Sequence, residues 1–93
     1  MRLSVFCVHD SAVGAYLQPF FMRSVNEALR SFRATVNSPG HAFSKNPEDY
    51  TLFHIGSYDE DTGVFENINH HSLGKALDHI DPEPQQGQLE AVN

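Results

Sequence analysis

Alternating apolar and polar positions predict strands at two places in the first quarter of the chain. Within residues 2–9, Leu3, Val5 and Cys7 fall on one side of an extended backbone, and β-branched and aromatic residues are frequent. Residues 15–22 form a second extended stretch, rich in aromatic residues and interrupted by Pro19. Because proline has no N–H for a ladder, this stretch is expected at a sheet edge or next to a bulge.

The same alternation returns in the second half of the chain. Residues 50–58 alternate between two faces, and residues 64–68 form a return strand. Between them, residues 59–63 have the composition of a hairpin loop, with Gly63 suited to a position of positive φ. This pattern predicts an antiparallel pair.

Helical spacing appears twice. Ser24 and Glu27 fit a capping box, and an apolar stripe follows at helical intervals until residues 37–40 end it with proline and glycine. The stripe consists of Val25, Ala28, Leu29, Phe32 and Val36. Residues 73–80 repeat apolar positions at i, i+3, i+4 and i+7 behind Ser72, which predicts a short second helix.

The order strand, strand, helix, strand, strand, helix predicts an α+β domain over residues 1–80. We expect a mainly antiparallel four-stranded sheet with both helices on one face. Residues 41–49 are predicted to be a polar connection with Phe43 docked as an aromatic. Residues 81–93, rich in proline and glutamine, are predicted to be a flexible polar tail.

Composition narrows the class of protein. The 93 residues are 40% hydrophobic and 19% charged, and no apolar run approaches the length of a membrane span. The start has no secretory leader pattern, and the single cysteine, Cys7, cannot form an internal disulfide. We therefore expect a cytosolic single domain rather than a membrane protein, a disulfide scaffold or a multidomain enzyme.

The residues offer little for catalysis or metal binding. His70, His71 and His79 lack the cysteine and histidine spacing of zinc sites, and Cys7 with His9 lies within a predicted strand. The acidic residues at 48–49 and 59–61 fall in loops, where they serve turn geometry. No phosphate-binding glycine motif occurs. We expect no enzyme, no metal and no cofactor.

Charge is divided unevenly along the chain. The net charge is −6, but residues 1–45 sum to +3 and residues 46–93 to −9. Arg23, Arg30 and Arg33 cluster around the first helix, and basic groups beside aromatic rings suit single-stranded nucleic acid. The rings named as stacking platforms are Phe6, Tyr16, Phe53, Tyr58 and Phe65. In the other interpretation, these rings form the core and the arginines a solvated helix face.

Several segments resemble the small non-structural protein of gokushoviruses, icosahedral phages with circular single-stranded DNA genomes. The resemblance covers roughly residues 1–80. It rests most on Pro47–Phe53 with the turn at 59–63, and also on residues 16–22, 28–32, 43–46, 56–58 and 72–74. It implies a protein absent from the mature capsid that binds DNA or helps direct replication towards genome synthesis and packaging. It implies no catalytic residues.

These observations predict a non-enzymatic phage accessory protein of the host cytoplasm, acting in genome replication or packaging. The predicted mechanism is weak binding of single-stranded DNA by Arg23, Arg30 and Arg33, with Tyr16 or Phe43 as stacking residues. The alternative is an interaction module that engages the replication initiator, or another phage or host replication protein, without touching DNA. A homodimer is a further expectation, and no membrane partner is expected.

Overall fold

The computed structural model of the protein describes residues 1–82. It contains five strands, two α-helices and one 3₁₀ turn. The strands are β1 (Arg2–Asp10), β2 (Ala15–Tyr16), β3 (Phe20–Met22), β4 (Tyr50–Asp59) and β5 (Val64–Lys75). The helices are α1 (Val25–Val36) and α2 (Ala42–Lys45), and the 3₁₀ turn spans Ala76–His79.

One antiparallel sheet contains all five strands, with β1 at its centre. One edge of β1 pairs with β2 and β3, and its other edge pairs with β4 along its whole length. The hairpin partner β5 lies outside β4. The register shifts between Val5 and Phe6 in the β1–β4 pair, where Ile55 is the extra residue. It shifts twice more between β4 and β5, where β5 carries the extra residues.

The hydrophobic core fills the space between one face of the sheet and the helices. Phe6 and Val8 of β1 and Leu52 of β4 supply the sheet side. The α1 stripe supplies the other side: Ala28, Phe32 and Val36 are buried, and Val25 and Leu29 pack at the margin. The apolar stripe predicted for this helix is therefore confirmed.

The predicted start of α1 holds with one change. The Ser24 hydroxyl accepts a hydrogen bond from the Glu27 N–H at 3.1 Å, as an N-cap should. The Glu27 carboxylate accepts from the N–H of Arg23 rather than that of Ser24. The predicted hairpin turn is confirmed, with Gly63 at φ 74° and the Asp59 carboxylate accepting the N–H of Asp61 at 2.9 Å. That hydrogen bond lowers the pKa of Asp59.

The structure corrects the strand count from four to five. The extended stretch predicted over residues 15–22 is two short strands, β2 and β3, separated by residues 17–19. Pro19 precludes a ladder bond at its own position, and the N–H of Leu17 donates to the carbonyl of Val8 before the chain leaves β1. The order of elements is therefore only roughly the predicted one.

The second helix predicted over residues 73–80 is wrong over most of its length. Strand β5 continues to Lys75, and only Ala76–His79 turns as a 3₁₀ helix. Gly74 at φ 108° breaks any regular helix, and the Ser72 hydroxyl accepts from the Gly74 N–H instead of capping one. Ala76 is buried, whereas Leu77 is half exposed, so the apparent apolar stripe does not share one face.

Two connections are more ordered than their composition indicates. The predicted loop over residues 41–49 contains the short helix α2, and Phe43 docks against the core as expected. Asp81, predicted to begin a flexible tail, forms an ion pair with Arg33 at 3.0 Å, and its N–H donates to Asn37 Oδ1. Residues 83–93 of that predicted tail lie outside the described residues.

Replacing Phe32 tests the core. We expect Phe32→Ala to lower the free energy of unfolding by about 3–5 kcal/mol, because the ring is 4% exposed and faces Phe43 and His79. Urea denaturation followed by circular dichroism measures the change. Ser31→Ala, at the exposed neighbouring position, should change it by less than about 0.5 kcal/mol. A similar, small cost for both variants would contradict this core.

Replacing Gly56 tests the contact between β4 and β5. A Cβ atom here would lie 2.6 Å from the backbone carbonyl oxygen of Glu66 and 3.0 Å from the Phe65 ring. Gly56→Ala should therefore force the strands apart and cost about 1–3 kcal/mol, measured as a lower Tm. Ser57→Ala, at the neighbouring position of the same strand, is the control, since it removes an atom rather than adding one. If the control loses as much stability, the close approach at Gly56 is not limiting.

Candidate nucleic-acid interface

No helix among residues 1–82 covers the face of the sheet that lies opposite α1 and α2. Side chains alternate along β1, so Phe6 and Val8 point to the helices while Val5 and Cys7 point the other way. We call this second side the open face. Val5 is nevertheless 0% exposed and Cys7 3% exposed, so neighbouring side chains must shield them.

Aromatic rings provide that shield in two groups. The three-ring cluster consists of Phe21, Tyr58 and Phe65, with ring centroids 5.7–6.5 Å apart. The four-ring cluster consists of His9, Tyr16, Phe53 and His70, with contacting centroids 4.6–6.0 Å apart. Edge-to-face and tilted contacts of this kind stabilise a ring layer beyond simple burial.

The pairing of the strands explains why these rings meet. Phe21 lies opposite Val5, and Tyr58 lies opposite Phe65. Tyr16 lies opposite His9 across the β1–β2 pair. The extra residues of β5 between Asn67 and His71 bring His70 to the open face, where its Nδ1 lies 3.4 Å from the Tyr16 hydroxyl.

The rings that shield Val5 and Cys7 are themselves only partly buried. Tyr16 is 49%, Phe65 47% and Phe21 45% exposed. Each ring therefore presents about half of its surface to solvent while its other side covers the strand beneath. Cys7 is buried beneath this layer like a small core residue, and that burial raises the pKa of its thiol.

The electrostatics of the open face differ from those of the chain as a whole. Residues that lie opposite each other in an antiparallel pair have their side chains on the same face of the sheet. The members of the open face are therefore found by starting from Val5 and His9 and following the pairs across the sheet. The members identified in this way are Leu3, Val5, Cys7, His9, Tyr16, Phe21, Thr51, Phe53, Gly56, Tyr58, Phe65, Asn67, Ser72 and Lys75. The set contains no carboxylate, and it includes Lys75, the only Lys or Arg residue in the acidic second half of the chain.

Two of the predicted arginines, Arg30 and Arg33, lie on the helix side of the sheet. Arg30 and Arg33 are exposed on α1, beside a groove of about 390 Å³ that Asn26, Leu29 and His79 complete. Arg33 is paired with Asp81. Arg23 is exposed between β3 and α1. The structure therefore does not bring Arg30 and Arg33 together with Tyr16.

The other predicted rings divide between core and surface. Phe43 is half-buried, with its ring centroid 4.5 Å from Tyr50 and 5.7 Å from Phe32, at the edge of the core. Phe6, named as a platform, is 0% exposed in the core, which corrects that expectation. Phe53, Tyr58 and Phe65 do lie on the open face with Tyr16.

Sequence reasoning missed Phe21, His70 and Lys75 as members of this face. The sequence does not predict the position of Phe21, because residues 15–22 divide into two strands and the alternation of faces does not run unbroken from Tyr16 to Phe21. Lys75 is hidden because the spacing of residues 73–80 favours a helix. The pairing of Lys75 with Thr51 is a long-range contact that no local pattern contains.

Other classes of site find no support among residues 1–82. No three His, Cys, Asp or Glu side chains come together as metal ligands would. No helix in this part of the chain is long and apolar enough to cross a membrane. A groove of about 330 Å³ between β3 and α1, whose lining includes Phe20, Met22 and Phe32, has no titratable side chain in its lining.

Comparison with known proteins identifies a family but supplies no site. No curated protein and no solved structure matches the chain. The family model described as Phage ORF5 protein matches residues 3–79, which includes every strand and helix described above except Arg2, the first residue of β1. The chain therefore belongs to the Phage ORF5 protein family.

Proposed function

We propose that this phage protein is a non-enzymatic accessory factor that binds single-stranded DNA weakly through its open face. The observation that carries the proposal is the layer of half-exposed rings on a sheet face without carboxylates. Bases stack on such rings regardless of sequence, at about 1–3 kcal/mol per base. A role in genome replication or packaging in the host cytoplasm, as the gokushovirus resemblance implies, belongs to the same proposal.

The charge distribution supports this face over the rest of the surface. Phosphates are repelled by most of a chain with net charge −6, but the open face presents no acid to them. Lys75, exposed beside Thr51, is placed to contact a phosphate. With so few cations, binding depends on stacking, and its salt dependence should be shallow.

A second candidate is binding to a phage or host replication protein through the same face. It is favoured by the near absence of charged side chains there, since cores of protein interfaces are depleted in charge and enriched in aromatic residues. A homodimer is one form of this candidate. The two candidate functions are distinguished by measuring whether the protein binds single-stranded DNA at all.

Fluorescence anisotropy with labelled dT20 and a duplex of equal length tests the proposal at several salt concentrations. We expect preference for the single strand. Tyr16→Leu with Phe21→Leu should weaken binding about tenfold or more, because leucine keeps the apolar cover but removes the stacking surfaces. Lys75→Gln should reduce the salt slope by about 1. Circular dichroism spectra and Tm values confirm that each variant is folded.

The matched control is Arg30→Gln with Arg33→Gln on the opposite side of the molecule, which should leave dT20 affinity within about twofold. If this control loses more affinity than the open-face variant, the site lies on α1, as the sequence alone predicts. Absence of dT20 binding at about 50 mM salt and tens of micromolar protein would reject DNA binding and favour the protein partner.

A further inference from the structure

The two ring clusters occupy separate positions along the sheet. Phe53 belongs to the four-ring cluster and Tyr58 to the three-ring cluster, five residues further along β4. Because Ile55 is an extra residue, the two positions lie opposite Cys7 and Leu3, four residues apart on β1, which is roughly 13 Å at about 3.3 Å per residue. No ring–ring contact joins a member of one cluster to a member of the other among the described residues.

The sheet floor between the clusters carries no charge and no ring. Val5, Cys7 and Gly56 lie there, buried at the inner margins of the two clusters. Gly56 has no side chain and lies directly under the edge of Phe65. The register shift at Val5 and Phe6, with Ile55 as the extra residue, falls in the same region. A strand of DNA crossing this gap therefore has nothing to stack on until it reaches the next cluster.

We infer that the two clusters are separate base-stacking subsites that one DNA strand bridges, an inference that rests on the proposed function. A stacked strand advances about 3.4 Å per nucleotide, so roughly four nucleotide steps span the gap. The ligand class is therefore a single strand of about five nucleotides or more. A di- or trinucleotide occupies one subsite only.

Bridging has a measurable signature. Once a DNA strand is long enough to reach both subsites, binding at the second subsite becomes intramolecular. The affinity then rises far more than the larger number of positions at which a longer strand can bind would explain. A shorter DNA strand does not reach from one subsite to the other, so the second subsite adds no affinity. A single continuous platform would instead gain affinity steadily with each nucleotide.

Competition of unlabelled dT2 to dT12 against labelled dT20 tests this inference. We expect dT2 and dT3 to bind weakly and almost equally, a rise of about tenfold or more by dT6 to dT8, and little further gain. Tyr16→Leu, and Phe21→Leu combined with Phe65→Leu, each remove the most exposed rings of one subsite and should each abolish the rise. Leu77→Ala, a half-exposed apolar position on the 3₁₀ turn, should keep it.

The outcomes separate the two proposals. If dT20 does not bind, the proposed function fails and the inference with it. If dT20 binds but affinity grows in proportion to length, or both ring variants keep the rise, only the two-subsite inference is overturned. Sedimentation of the dT8 complex completes the test: one protein per strand is expected, and two proteins per strand would mean that two copies, not two subsites, produce the rise.

Discussion

The structure depends on one constraint: its central strand is buried on both sides, but residues 1–82 supply helices for only one of them. Phe6 and Val8 of β1 are covered by α1, which is the usual solution for an α+β domain. Val5 and Cys7 on the other side are buried to 0% and 3% exposure, and no helix of the described part of the chain lies above them. Side chains of the sheet itself perform that task, and only large rings reach far enough across neighbouring strands to do so.

This constraint explains why the chain's most distinctive surface is aromatic. Phe21 and Tyr16 come from the two short strands on one side of β1, and Phe53 and Tyr58 come from the long strand on the other. They lean over the strand between them and leave their outer sides in solvent. The residues proposed to contact DNA are thus the same residues that protect the core. Substitution by leucine is therefore the informative change, since it separates the two roles.

Local patterns predicted the parts of this fold that local interactions determine. The α1 stripe and the Ser24 cap were readable because a helix repeats its contacts within a few residues. The turn at residues 59–63 was readable because its glycine and aspartate act on adjacent backbone groups. The extension of β5 to Lys75 was not readable. Its pairing with Thr51 is set across the sheet, and helical spacing at residues 73–80 indicated another structure. The candidate site shares this limit, because its members come from all five strands and only their register brings them onto one face.

The irregular register of β5 has a consequence for the behaviour of the protein at high concentration. Nothing among residues 1–82 pairs with the outer side of this twelve-residue strand, and most of it is exposed, including Val64, Phe65 and Ile68. A straight strand of that length would present a regular row of unpaired N–H and C=O groups on which other chains could polymerise. The extra residues on either side of His71 and Ser72 interrupt the row, so its longest regularly paired segment is Val64–Asn67. The bulges that carry His70 to the open face therefore also make this edge a poor template for cross-β growth.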